Sequence, residues 1–247
     1  MTEHHNNGHG AKSNVFRPKK LSLQDIKEGC IALTGQENGN ETRICVINEE
    51  FRQGIEFVED IDRSVTCFGS ARFHADSPHY KQAHRIAYRI AEELGYAIIT
   101  GGGPGIMEAA NRGAYDADGR SIGMTIKLPF EQSTSKYVKD EIPFYFFFTR
   151  KVTMTYSAEA YLYFPGGFGT MDELFEILTL VQTKKIAHVP IILVGKAFWQ
   201  PLDNFIRQTL LADHATISPE DLNLYTITDD EEEILEIVKN APLRVEN

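Results

Sequence analysis

The residues best placed to do chemistry together are an arginine–lysine pair, a glycine-rich turn and an acid that follows it. PGGFGTMDE (165–173) comes directly after the apolar run AYLYF (160–164) and opens an amphipathic segment. Glycine removes the Cβ that would hold a ligand off the backbone. A glycine turn at the start of a helix presents free N–H groups and the positive end of the helix dipole, which suits phosphate. T-x-x-E at Thr170–Glu173 also reads as a capping box, with Thr170 as N-cap and Glu173 at N3, so stability alone accounts for both. It does not account for Gly166, Gly167 and Gly169 before them, or for Arg150 and Lys151 upstream. Arginine carries a planar, permanently charged fork that matches phosphate or carboxylate, although a surface charge at a helix start is an equal reading. Thr179 lies two turns beyond Thr170 and Glu173 and could line the same side of a pocket.

Elements that could position these groups follow from the pattern. VTCF (65–68), YAIIT (96–100), SIGMTIKL (121–128), AYLYF (160–164), PIILV (190–194) and LYTIT (224–228) read as short strands. FYFFF (144–148) reads as a strand or as the lead-in to a helix. Helical patterns fill the gaps, over 77–95 (Ser77 as N-cap, Pro78 in the first turn, Gly95 as C-cap), from Ile106, and over 150–158, 170–185, 198–212 and 230–240. Strands alternating with helices predict an α/β fold, a Rossmann-like, doubly wound, mostly parallel sheet with helices on both faces. Ligands bind such sheets outside the carboxyl ends of the strands. Three loops fall there: GSARF (69–73) with Ser70, GGGPG (101–105) with Gly102 and Gly103, and PGGFG (165–169). None fits the P-loop, and GGGPGI does not complete G-x-G-x-x-G, so an ordinary ATP or NAD site is not indicated. Several small-residue loops on one sheet point instead to another anionic or nucleotide ligand.

The chain has 247 residues, 42% hydrophobic and 24% charged, and reads as a soluble protein. Residues 1–20 are polar and read as a disordered tail, 21–62 as a helical extension, and 63–247 as one Rossmann-like domain. No apolar run approaches a membrane span, and the N-terminus lacks the apolar core of a secretory signal, so the cytoplasm is the default. A net charge of −10 disfavours nucleic acid as a partner. His4, His5 and His9 sit in the tail, and no cluster calls for a metal or other cofactor. Cys30, Cys45 and Cys67 show no CxxC spacing, and an odd count argues against a disulfide framework, so all three read as buried small hydrophobes.

GGGPGIMEAAN (101–111), FFTRKVTM (147–154) and PGGFGTMDELFE (165–176), in this order, resemble the LOG (Lonely Guy) family over about residues 63 to 228. That resemblance implies a nucleoside 5′-monophosphate phosphoribohydrolase, which releases a base from AMP, other nucleotides or cytokinin ribotides. It places Arg150 and Glu173 on the family's catalytic positions and Gly166, Gly167, Gly169 and Thr170 on its phosphate loop. Lys151, Thr179 and Glu131 fall on substrate-contacting positions. Asp172 stands where plant members have Glu, and the GGGPG loop is similar to the longer bacterial branch, so AMP or a broader nucleotide set is favoured over cytokinin ribotides. The resemblance also implies a homodimer or larger oligomer with the site completed across the interface. Glu173 would stabilise a ribosyl cation as a carboxylate, with Arg150 holding it ionised. The competing class is a non-catalytic nucleotide or molybdenum-cofactor carrier on a related fold.

Overall fold

Short strands that are apolar on both sides must be covered on both sides, and the computed structural model, which describes residues 21–128 and 134–244, shows how. Seven strands form one sheet, every adjacent pair parallel. They are β1 (Ser64–Phe68), β2 (Ala97–Thr100), β3 (Ser121–Ile126), β4 (Asp140–Phe144), β5 (Ala160–Tyr163), β6 (Ile191–Leu193) and β7 (Thr226–Ile227). Their spatial order is β4-β3-β2-β1-β5-β6-β7. The chain therefore winds outward from β1 to β4, returns to the middle at β5, and winds out the other way. The connections after β1 and β5 leave in opposite directions and open a crevice between them.

Helices α3 (Pro78–Leu94), α4 (Ile106–Asp116) and α8 (Glu231–Lys239) close one face, burying Ile86, Ile90, Ile106 and Ile234 with Val65, Ile98 and Leu162. On the other face lie α2 (Asn40–Glu59), α5 (Phe147–Thr155), α6 (Phe168–Gln182) and α7 (Lys196–Phe205). They bury Phe57, Met154, Leu174, Ile177 and Trp199 against Ile99, Met124 and Tyr163. α3 starts after Ser77 with Pro78 in its first turn and ends at left-handed Gly95, as its sequence indicates. Of the two readings of FYFFF, the lead-in to a helix holds. β4 ends at Phe144, residues 145–146 turn, and Phe147 opens α5. Pro143 lies within β4, which its position at the sheet edge tolerates, since no further strand needs the N–H that proline lacks. α7 runs on into a π-helical stretch, Ile206–Asp213. No helix among the described residues is long and apolar enough to cross a membrane.

Before β1, α1 (Leu23–Thr34) and α2 form a hairpin joined by a disulfide between Cys30 and Cys45. This corrects the reading of all three cysteines as unpaired. The hairpin brings the two Cα atoms to 5.8 Å, within bridging reach, a proximity that the separation of 15 residues does not announce. Cys67 is free and buried in the sheet, where desolvation pushes its thiol up to about 12. The segments 1–20 and 129–133, including Glu131, lie outside the described residues.

One buried polar cluster ties the fold to the glycine turn after β2. Asn111 of α4 donates to the Ser121 hydroxyl and the Ile122 carbonyl, each at 3.0 Å, and accepts from Thr100 at 2.5 Å. Thr100 Oγ1 in turn accepts the Gly102 N–H at 2.9 Å. Replacing Asn111 with Leu takes the acceptor from the Thr100 O–H and the amide donor from Ser121 and the Ile122 carbonyl, although Ser121 keeps its bond to the backbone carbonyl of residue 111, so Asn111→Leu should lose about 1 to 3 kcal/mol in urea unfolding. A loss below about 0.5 kcal/mol would mean that this cluster does not hold α4 to the sheet.

Candidate active site

All three small-residue loops reach the crevice, and Ser70 joins them. Its N–H donates to the Pro165 carbonyl and its carbonyl accepts from Ile106, both at 3.0 Å. The loop after β1 is thus bonded to the loop after β5 and to the start of α4. Gly105 makes the last contact possible: it has φ +70°, and a Cβ there would stand 2.3 Å from the Ser70 carbonyl oxygen. The result is a cleft of about 800 Å³ lined by all three loops.

Arg150, Glu173, Ser70, Gly166, Gly167, Gly169 and Thr170 all line this cleft. Gly102 and Gly103 do not. They are buried behind it, and Gly101 takes their place in the wall. Lys151 and Thr179 face an adjacent groove with Phe168, Met171, Phe175 and Glu176. Lys151 is held there by Asp172 at 2.8 Å and Glu176 at 3.2 Å. Arg72 and Phe147 also line the cleft, and sequence reasoning did not single them out. Only its place in GSARF hinted at Arg72.

The capping-box reading of Thr170 and Glu173 is corrected. α6 begins three residues earlier than that cap would set it, with Gly167 as N-cap and no side chain capping it. Thr170 is already inside the helix, with its side chain packed over Gly166, where a Cβ would overlap Thr170 Oγ1. Glu173 therefore does not cap this helix. The N–H groups of Phe168, Gly169 and Thr170 precede the first intrahelical bond, from Met171 N–H to the Gly167 carbonyl at 3.0 Å, and are left for another acceptor. One turn on, Glu173 is buried, with 9% of its surface exposed.

Burial decides the charge of this acid. It pushes the Glu173 carboxyl up to about 7, with Arg150 and Lys151 pulling down and Glu176 and Asp172 adding to the rise. A shift of that size weights the equilibrium against the carboxylate by about 3 kcal/mol. The expectation that Arg150 simply keeps Glu173 ionised is thus corrected: desolvation outweighs it. The reason is geometric. Arg150 Nη1 stands 3.9 Å from Glu173 Oε1, too far for a hydrogen bond, while Arg150 Nε donates to the Met124 carbonyl at 2.7 Å. The guanidinium, its own charge disfavoured by burial, is anchored to the end of β3 with its terminal nitrogens beside Gly101. The site can therefore take up a proton, hold an anion at a helix terminus, and offer a fixed cation beside an acid that titrates near neutrality.

A Cβ at residue 101 would come 2.5 Å from Arg150 Nη2 and 2.8 Å from Met107 Sδ, both ends of flexible side chains. Gly101→Ala should consequently fold with little loss of stability yet displace the guanidinium. The Glu173 titration, followed by NMR, is expected to move upward while the melting temperature stays within a few degrees. An unmoved titration would show that the position of Arg150 is unimportant to this acid.

The family model described as "Possible lysine decarboxylase" matches residues 107–238. No lysine lines the cleft among the described residues. A rice (Oryza sativa subsp. japonica) protein named "Probable cytokinin riboside 5′-monophosphate phosphoribohydrolase" is 30% identical over 149 residues, covering 56% of this chain and 69% of that protein. The pyrimidine/purine nucleotide 5′-monophosphate nucleosidase of Escherichia coli K12 is 29% identical over 170 residues, 62% of this chain but 36% of that one. In fold, the chain is similar to the molybdenum cofactor carrier protein of Chlamydomonas reinhardtii, with TM-score 0.53 and 22% identity, over 73% of this chain and 98% of the other. Motifs, cleft and relatives agree, and the chain belongs to the LOG family, the family that this "Possible lysine decarboxylase" model describes.

Proposed function

We propose that the chain hydrolyses the N-glycosidic bond of nucleoside 5′-monophosphates such as AMP or cytokinin ribotides, giving free base and ribose 5-phosphate. The observation that carries this is Glu173: a buried acid beside a fixed arginine, one turn along a helix whose N-terminus has no side-chain cap. The 5′-phosphate docks on the N–H groups of Phe168 to Thr170, where the helix dipole favours negative charge. Arg72 stands at the rim as a further cation. With the phosphate held there, the ribose extends along the helix toward Glu173, which lies three residues beyond Thr170, about 4.5 Å of helix rise. As the C1′–N bond breaks, its electron pair leaves with the base and positive charge grows on the ribosyl ring. The Glu173 carboxylate stabilises that charge and takes a proton from the water that attacks C1′, the departing base gains a proton from solvent, and Glu173 releases its own to restore the carboxylate. Arg150 holds the acid and substrate in register. The relatives named as phosphoribohydrolase and nucleosidase support the same reaction class.

The sign of the pH dependence follows from burial. Glu173 keeps its proton until pH passes about 7, and the protonated acid carries no charge to offer the cation. The kcat/KM for AMP should therefore fall as pH drops through 7, above the second phosphate ionisation of the substrate near 6. Incubation with AMP, CMP and GMP, followed by chromatography for free base and ribose 5-phosphate, tests the reaction. Glu173→Gln should abolish product release in a folded protein. Full turnover by that variant would remove Glu173 from the chemistry, and AMP bound without products would make the chain a binder or carrier.

A second copy of the chain completes the site in this proposal. Phe168 is 94% exposed at the junction of the cleft and the Lys151–Thr179 groove, with Phe147 and Phe175 exposed nearby. Apolar surface of this kind beside a polar cleft suits a protein interface. Light scattering coupled to gel filtration should report a dimer or larger assembly, and Phe168→Glu should dissociate it. A wild-type monomer at micromolar concentration would sink this part.

A further inference from the structure

Arg150 sits in the first turn of α5, and that helix has no cap of its own. Its N-cap residue is Phe146, whose side chain cannot accept a hydrogen bond. The residues leading into it are braced instead from α2, about 100 residues away in sequence. Glu50, buried with 2% exposure, accepts the Tyr145 N–H at 2.7 Å, the Phe146 N–H at 3.3 Å and the Thr149 hydroxyl at 2.7 Å. One carboxylate thus holds the turn that converts β4 into α5 and the residue next to Arg150. It also places negative charge at the positive end of the helix. The contact is reinforced along α2. Gly54 lies so close to α5 that a Cβ would meet Thr153 Oγ1 at 2.5 Å, and the rings of Phe51 and Phe148 are 6.3 Å apart. The family match begins only at residue 107, so α2 lies outside it.

We infer that the N-terminal helix hairpin is part of the catalytic apparatus, with Glu50 a positioning residue that acts on the reaction through Arg150. This rests on the nucleosidase reading above. The first intrahelical bond of α5, from Arg150 N–H to the Phe146 carbonyl at 3.3 Å, closes the turn that Glu50 fixes. Loss of the carboxylate frays that turn and frees the backbone from which the guanidinium reaches Met124 and Glu173. A satisfied acid that merely stabilises the core would not act through one particular side chain, and this separates the two roles.

The test is a double-mutant cycle with Glu50→Ala, Arg150→Ala and the combination, read by kcat and KM for AMP and by NMR titration of the Glu173 carboxyl. Glu50→Ala should lower kcat about tenfold and move the Glu173 titration upward, because a displaced Arg150 no longer favours the carboxylate. In the Arg150→Ala background the same change should alter neither. Independent, additive losses, or a folded Glu50→Ala protein with full turnover and an unmoved titration, would overturn the proposal. Should Glu50→Ala not fold, Glu50→Gln keeps one acceptor oxygen and enters the same cycle with a smaller expected effect. Should the wild-type protein release no base, the nucleosidase reading fails, and the titration arm still decides whether Glu50 acts through Arg150.

Discussion

A carboxyl group and a guanidinium buried in the same cleft, close enough to interact and too far apart to bond, are the constraint around which this molecule is arranged. At the 3.9 Å between them, attraction in a partly buried setting is worth about 4 kcal/mol before desolvation is counted. Desolvation wins, and the acid titrates near neutrality. A closer ion pair would have fixed both charges and left a proton acceptor too weak to be useful. The distance is maintained from outside the pair: the Met124 carbonyl holds Arg150 from the end of β3, and α6 carries Glu173 from behind the uncapped glycine turn.

The sheet supplies the room. Because β5 returns to pair with β1, the loops after these two strands part, and the cleft forms where they diverge. Ser70 then bonds the parting loops back together through its backbone, which keeps the opening from collapsing or spreading. The helix hairpin before β1 adds the remaining support. Its Glu50 bonds the two residues that lead into α5 and the Thr149 hydroxyl in the first turn. Strands, loops and hairpin thus each constrain one end of the same arginine–glutamate pair.

The strands and most helices were legible because each is a short apolar run or stripe bounded by glycine, proline or a capping residue. Where two local rules competed, local reasoning failed. FYFFF could be a strand or the lead-in to a helix and its composition did not choose; it is the lead-in, with the turn at 145–146 bonded to Glu50, a distant residue. T-x-x-E has the spacing of a cap, but the glycines before it let α6 start sooner. The first three glycines of GGGPG look alike in sequence, and only the structure puts Gly101 in the wall, beside Arg150. Cys30 and Cys45 gave no signal, since their pairing depends on the angle of a hairpin.

By itself, the amino-acid sequence determined the fold class and the three loops, and pointed to Arg150 and Glu173 only through a family resemblance. The first two depend on hydrophobic periodicity and turn chemistry, both of which are local. The tertiary structure alone decided which glycine faces the cleft, the separation of the charged pair, the protonation of Glu173 and the support from Glu50. Each of these is a distance or a degree of burial between residues far apart in the chain. Burial and Coulomb attraction depend on such distances and not on sequence spacing.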